Sequence, residues 1–101
     1  MWVLRASGLP DQPGGKTFRL SDGAVKTIGR ATRADFIVDA PLVSRVHCRL
    51  TADKSGQLVV EDLDSTNGTH VNGQRVARAV VKAGDEIGVG KVTFAVERHQ
   101  K

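Results

Sequence analysis

"QRVARAVVKAG", residues 74–84, decides the fold class because it reads two ways. As a helix it would set Val76, Val80 and Ala83 on one side, with Gly84 as its C-terminal cap. As two short strands it would follow directly from Asn72-Gly73, a strong signal for a tight hairpin turn. The segment carries three valines, whose branched side chains favour extended backbone, and it is short for a helix without strong packing. The strand reading is therefore taken, which leaves the chain without a helix.

Outward from this segment, apolar residues recur with period two. Trp2 and Leu4, Phe18 and Leu20, Phe36 and Val38, Leu58 and Val60, and Ile87 and Val89 each share a face, as do Val92, Phe94 and Val96. In "VHCRL" (46–50) the alternation sets Val46, Cys48 and Leu50 inward, with His47 and Arg49 on the opposite face. Turn chemistry separates these runs: "PDQPGG", "SDG", "DKSG", "STNG", "VNG" and "AGD". Many short strands at close spacing predict an all-β antiparallel sandwich or barrel. A single domain is expected over residues 1–101, which reads equally as a module of a longer protein.

Composition narrows the function classes. With 101 residues and 40% hydrophobic content, the chain can bury one modest core. No apolar run approaches the roughly 20 residues of a membrane helix, and "MWVLRASGLP" is too short in its apolar part for a secretory signal. The single cysteine, Cys48, excludes an internal disulfide framework and fits a reducing cytoplasm. The net charge of +4 and pI ≈ 9.7 hint at an anionic partner. Yet the basic residues are spread from Arg5 to Lys101 without a run of three, and only four aromatics are present. Nucleic-acid binding is not expected from so dispersed a pattern.

Catalytic and metal readings fail on spacing. "PDQPGGKT" (10–17) resembles the end of a phosphate-binding loop, but Pro10 stands where glycine or alanine is needed and strand-like "FRLSDG" follows instead of a helix. Ser44, His47 and Asp62 could be assembled into a triad on paper, but no nucleophile turn marks the serine. His47, Cys48 and His70 lack a recurrent metal-ligand spacing. No catalytic residue, metal or cofactor is expected.

Three separated pieces carry more. "IGR" ends a strand at Arg30 after a glycine, "VSRVH" brings Ser44 and Arg45 in a turn, and "DSTNGTHVNG" supplies Thr66 and Asn67 from another turn. An arginine fork, two hydroxyls, an amide and turn N–H groups are what a phosphate dianion on a peptide requires. Loops at one end of a rigid sandwich can bring such pieces together.

The ordered set "GR" (29–30), "SRVH" (44–47), "DLDSTNGTHVNG" (62–73) and "AGDEIGVG" (83–90) closely resembles the forkhead-associated (FHA) domain, over nearly the whole chain and without departure at the motif positions. The resemblance implies an eleven-stranded β-sandwich of the FHA/SMAD-like kind, with binding loops at one end. It implies a non-catalytic module that binds threonine-phosphorylated proteins in signalling. Carried over, Arg30 and Ser44 would bind the phosphate directly, with Arg45 approaching the phosphate or the adjoining peptide. Thr66 would shape the site, and Asn67 would hydrogen-bond the peptide backbone. Gly29 and His47 would be architectural, with His47 bracing the loops, and Asn72 and Gly73 would form the following hairpin turn. By turn chemistry alone, Asn67, Gly68, Asn72 and Gly73 would each supply a positive-φ backbone, and Gly68, Asn72 and Gly73 are expected to support the site. Ser65 reads as turn chemistry, and Arg33 as a solvated neighbour outside the site.

Two other readings stand beside this one: an FHA-like scaffold that binds an unphosphorylated protein surface, and, more remotely, nucleic-acid binding. The loop "DAPLV" (39–43) is expected to shape the pocket for residues C-terminal to the phosphothreonine, Leu42 and Val43 suggesting an apolar preference. A cytoplasmic location is expected, or a nuclear one in a eukaryote.

Overall fold

Alternating apolar residues and turns with positive φ divide the chain into eleven strands in the computed structural model, which describes residues 1–99. Gln100 and Lys101, the end of the expected domain, lie outside the described residues. The strands are β1 (Trp2–Ser7), β2 (Lys16–Leu20), β3 (Val25–Gly29), β4 (Phe36–Ile37), β5 (Cys48–Ala52), β6 (Leu58–Asp62), β7 (Thr69–Val71), β8 (Gln74–Val76), β9 (Arg78–Val81), β10 (Glu86–Val89) and β11 (Val92–Arg98). One sheet runs β2-β1-β11-β10-β7-β8 and the other β4-β3-β5-β6-β9. Among the described residues there is no helix, and so none long and apolar enough to cross a membrane.

The ambiguous segment 74–84 forms two strands that belong to different sheets. β8 hairpins back on β7 through Asn72 (φ 51°) and Gly73 (φ 84°), with Val71 opposite Gln74. Both turn residues have positive φ, as a two-residue hairpin loop demands. The chain then switches sheets at Ala77, whose carbonyl accepts the Asp62 N–H, and β9 pairs with β6. A helix here would have forfeited both pairings.

The inward faces meet in a core whose largest fully buried side chains include Phe94, Leu4, Leu20, Ile28, Leu50, Leu58 and Ile87. Three aromatics tie the sheets together: Phe18 of β2 lies 4.7 Å from Phe36 of β4 and 6.1 Å from Phe94, centroid to centroid. Each such side chain contributes about 1.5–3 kcal/mol by leaving water.

The expected eleven-stranded all-β sandwich is present with one refinement, and one local expectation needs correction. The sandwich is not antiparallel throughout, because β4 lies parallel to β3, with Ile28 beside Phe36 and Gly29 beside Ile37. Asp35 is the cause: its carboxylate accepts the Thr27 N–H at 2.9 Å and its own N–H donates to Thr27 Oγ1, which lays the returning chain alongside β3. The alternation in "VHCRL" also breaks at its start. β5 begins only at Cys48, and His47 is fully buried whereas Val46 is only partly so. The preceding bend, whose carbonyls are held by residues 30 and 31, turns the imidazole inward, where backbone hydrogen bonds replace its water.

Candidate functional site

Gly29 is where the site begins. A Cβ there would lie 2.1 Å from the Arg45 carbonyl oxygen and 2.9 Å from Val46 Cα, so only glycine lets the end of β3 approach the 44–46 bend. That approach allows the Arg30 N–H to reach the Ser44 carbonyl and the Ala31 N–H the Arg45 carbonyl, both at 3.0 Å. The Arg30 side chain is fixed as well, its Nε donating to the Val43 carbonyl at 3.1 Å. One edge of the guanidinium is thereby anchored, and the two terminal NH2 groups remain for a ligand.

Ser44 meets the third piece of the site. Its hydroxyl oxygen accepts the Thr66 N–H at 3.1 Å, across 22 positions of chain, which leaves its own proton free to be donated. Asn67 reaches the same loop from the other side, its Nδ2 donating to the Leu42 carbonyl at 3.2 Å. Its second amide hydrogen and its Oδ1 remain available.

His47 braces these loops from below. Its Nδ1 accepts the Ser44 N–H at 3.0 Å, and its Nε2 lies 2.8 Å from the Gly68 carbonyl. Since a backbone N–H can only donate, Nδ1 must be the acceptor and Nε2 must carry the proton. Both ring nitrogens are engaged by main chain, so no Ser44–His47–Asp62 relay forms. Gly68 is buried at φ 85°, and its N–H donates to Ser65 Oγ at 2.9 Å.

The turn is held from within by Asp62, a role the sequence reading did not assign. Its carboxylate accepts the hydroxyls of Ser65 and Thr69, and the Ser65 N–H at 3.2 Å. Partial burial works against the charged carboxylate. The Ser65 and Thr69 hydrogen bonds outweigh it and hold Asp62 below the usual carboxylate range. Asp followed three residues later by Ser, in a polar turn, was the available signal. The neighbouring Cys48 thiol is pushed up to about 12, chiefly by burial and then by the Asp62 charge, so it is neutral and not a nucleophile.

Arg30, Ser44, Thr66 and Asn67 line one open hollow of about 510 Å³, together with Asp39, Ala40, Pro41, Leu42 and Val43. The Arg45 side chain is exposed and stands outside this wall. Asn72 and Gly73 are also outside it: Asn72 joins the β7–β8 hairpin to the next turn through Asp85 and the Glu86 N–H. The 39–43 loop lines the hollow, but of the two residues expected to give it an apolar preference Val43 is buried and only Leu42 is exposed. Two of its supports were not legible: Leu42 has φ 71°, and Gly90 packs against it, where a Cβ would lie 3.0 Å from the Pro41 carbonyl oxygen.

Comparison with known proteins agrees with this geometry. The FHA domain model matches residues 26–90. An ABC transporter ATP-binding/permease protein of Mycobacterium tuberculosis is 40% identical over 81 residues, which is 80% of this chain and 9% of that protein. The glycogen accumulation regulator GarA of the same organism is 38% identical over 72 residues, 71% of this chain and 44% of GarA. The chain therefore spans less than half the length of either relative. A structure solved in work on phosphothreonine-dependent FHA domain interactions superposes with a TM-score of 0.85 at 32% identity, over 99% of this chain and 98% of that one.

Proposed function

The chain belongs to the FHA domain family, and from that premise we propose that it is a non-catalytic module that binds phosphothreonine segments of partner proteins. The observation that carries this reading is the convergence of Arg30 and Ser44 on one hollow, each oriented by a hydrogen bond that leaves its ligand-facing donors free. The Arg30 terminal amino groups and the Ser44 hydroxyl then take the phosphate oxygens, with part of the ordering cost of each side chain already met. Thr66 borders the phosphate. Asn67 takes a peptide N–H on Oδ1, or a peptide carbonyl on its remaining amide hydrogen. Arg45, outside the wall, meets the peptide from the rim.

His47, beneath the hollow, is locked between two backbone groups and cannot act as a base for Ser44. The phosphate is therefore held rather than hydrolysed. The same reading implies a cytoplasmic location, where ATP-dependent kinases write the mark.

The test is titration of a phosphothreonine peptide and its unphosphorylated twin against wild type and Arg30→Ala. Charge-assisted hydrogen bonds contribute about 1.5–3 kcal/mol each, so the substitution should weaken phosphopeptide binding by about tenfold to more than a hundredfold. Affinity within about twofold of wild type, or equal binding of the unphosphorylated twin, would contradict the reading.

A further inference from the structure

β9 is the last strand of its sheet and pairs with β6 on one side only. The Asp62 N–H donates to the Ala77 carbonyl, so by the alternation of an antiparallel ladder Ala77, Ala79 and Val81 turn their main-chain groups toward β6. Those of Arg78 and Val80 turn the other way, and among the described residues they have no hydrogen-bond partner. The next turn closes this edge at Lys82, whose N–H donates to the Asp85 carboxylate and whose carbonyl accepts the Asp85 N–H. Two N–H and two C=O groups stay open.

Side chains alternate along a strand, so Arg78, Val80 and Lys82 share the outer face while Val81 between them is buried. Val80 is 47% exposed, an apolar side chain between two cations. The carboxylates nearest those cations are already engaged. Glu61, opposite Arg78, binds Arg49, and Asp85 accepts the Lys82 N–H and the Asn72 amide. Past Val80 the edge opens into a hollow of about 520 Å³ walled by Trp2, Val81, Ala83 and Arg98, with no carboxylate among the residues that line it. It shares no residue with the hollow that holds Arg30 and Ser44.

We propose that β9 takes a further strand from a partner protein, an extended segment with acidic, apolar and acidic residues at alternate positions, whether or not that segment is phosphorylated. The register dictates the pattern. In an antiparallel addition the residue opposite Val80 is apolar, and the residues two before and two after it lie opposite Lys82 and Arg78 on the same face. Opposite charges directly across a ladder stabilise it, and the open main-chain groups supply the attachment. A second copy of this chain is the wrong occupant. β9 paired with itself about Val80 would set Arg78 opposite Lys82 twice, between chains that each carry a net charge of +4.

The test titrates the whole chain with unphosphorylated peptides centred on Glu-Thr-Val-Thr-Glu or Lys-Thr-Val-Thr-Lys, read by amide chemical shifts and calorimetry. Shifts should saturate at Arg78 and Val80 and spare Ser44 and Thr66. The glutamate peptide should bind about tenfold tighter than the lysine peptide, by less as salt screens the exposed charges. Arg78→Glu combined with Lys82→Glu should reverse that order. N-methylation of the peptide's valine, whose N–H meets the Val80 carbonyl, should weaken binding about tenfold. N-methylation of either threonine, whose N–H points away from β9, should change it by less than about twofold. Arg30→Ala should bind the glutamate peptide as wild type does. No saturable shift along β9 at millimolar peptide, an equal loss from methylating valine or threonine, or an unchanged order in the double variant would overturn the proposal. Dimerisation of the wild type that Val80→Lys abolishes would overturn it too, by giving the edge to a second copy.

Discussion

His47 and Gly68 are joined by a hydrogen bond of 2.8 Å across 21 positions of sequence, and the other nitrogen of the same ring, Nδ1, accepts the Ser44 N–H. One buried imidazole thus sets the separation between the loop that carries Ser44 and the turn that carries Thr66 and Asn67. The side chain serves the site without lining it.

His47→Ala should therefore lower stability and binding together. It strands a donor at Ser44 and an acceptor at Gly68, each worth about 1–3 kcal/mol when left unpaired, and it opens a cavity. The melting temperature should fall, and amide exchange at Ser44 should accelerate. Loss of phosphopeptide binding at an unchanged melting temperature would show that His47 touches the ligand instead.

Gly29→Ala should be among the most damaging of small changes. The added methyl meets main-chain atoms of Arg45 and Val46, which cannot swing aside as a flexible side chain would. Separating β3 from the bend breaks the two hydrogen bonds that position Arg30 and Ala31, at a cost of about 1–3 kcal/mol or more. Denaturant unfolding checks this, and a variant as stable as wild type would show that the approach is looser than described.

Asp62 makes stability depend on acid. Its folded-state pKa lies below the ordinary aspartate value of 3.8, so its contribution is fully present above the unfolded value. That contribution is lost as pH falls through about 4 and on towards the lowered folded value. Asp62→Asn should cost about 2 kcal/mol at neutral pH, given hydrogen bonds to a charged acceptor. For a domain of this size that is roughly 8–16 °C in melting temperature. The gap between wild type and variant should narrow as the pH is lowered. A gap that stays constant down to pH ~2 would show that Asp62 charge is not what holds the turn.

What was legible beforehand follows a physical division. Strands β10 and β11 and the Asn72-Gly73 turn announced themselves because alternation and positive φ are properties of a few adjacent residues. The sheet switch at Ala77 had no such local mark, although the choice of two strands over a helix was decided by the turn before it. His47 was set on the wrong face because a polar residue between apolar ones reads as solvated, unless its buried partners 3 and 21 residues away are known. The parallel β4 depended on a side-chain bracket between Asp35 and Thr27 that period-two counting ignores. Arg30, Ser44, Thr66 and Asn67 were found through an ordered motif and do share one hollow. Leu42, by contrast, gave no sign of its left-handed backbone, because that conformation is imposed by Asn67 and Gly90 from elsewhere in the chain.

The central claim is that the hollow reads phosphothreonine and not negative charge alone. The measurement is a calorimetric titration of matched phosphothreonine, phosphoserine and aspartate peptides at about pH 7.5 and about pH 5.5, on either side of the second phosphate pKa near 6. Burying the threonine methyl contributes about 0.8 kcal/mol, so phosphothreonine should bind at least about fourfold tighter than phosphoserine, and far tighter than aspartate. As pH falls through about 6 the phosphate takes up a proton and loses charge against Arg30, so binding should weaken at the lower pH while the ranking is kept. Equal affinity for all three peptides, at either pH, would contradict the account.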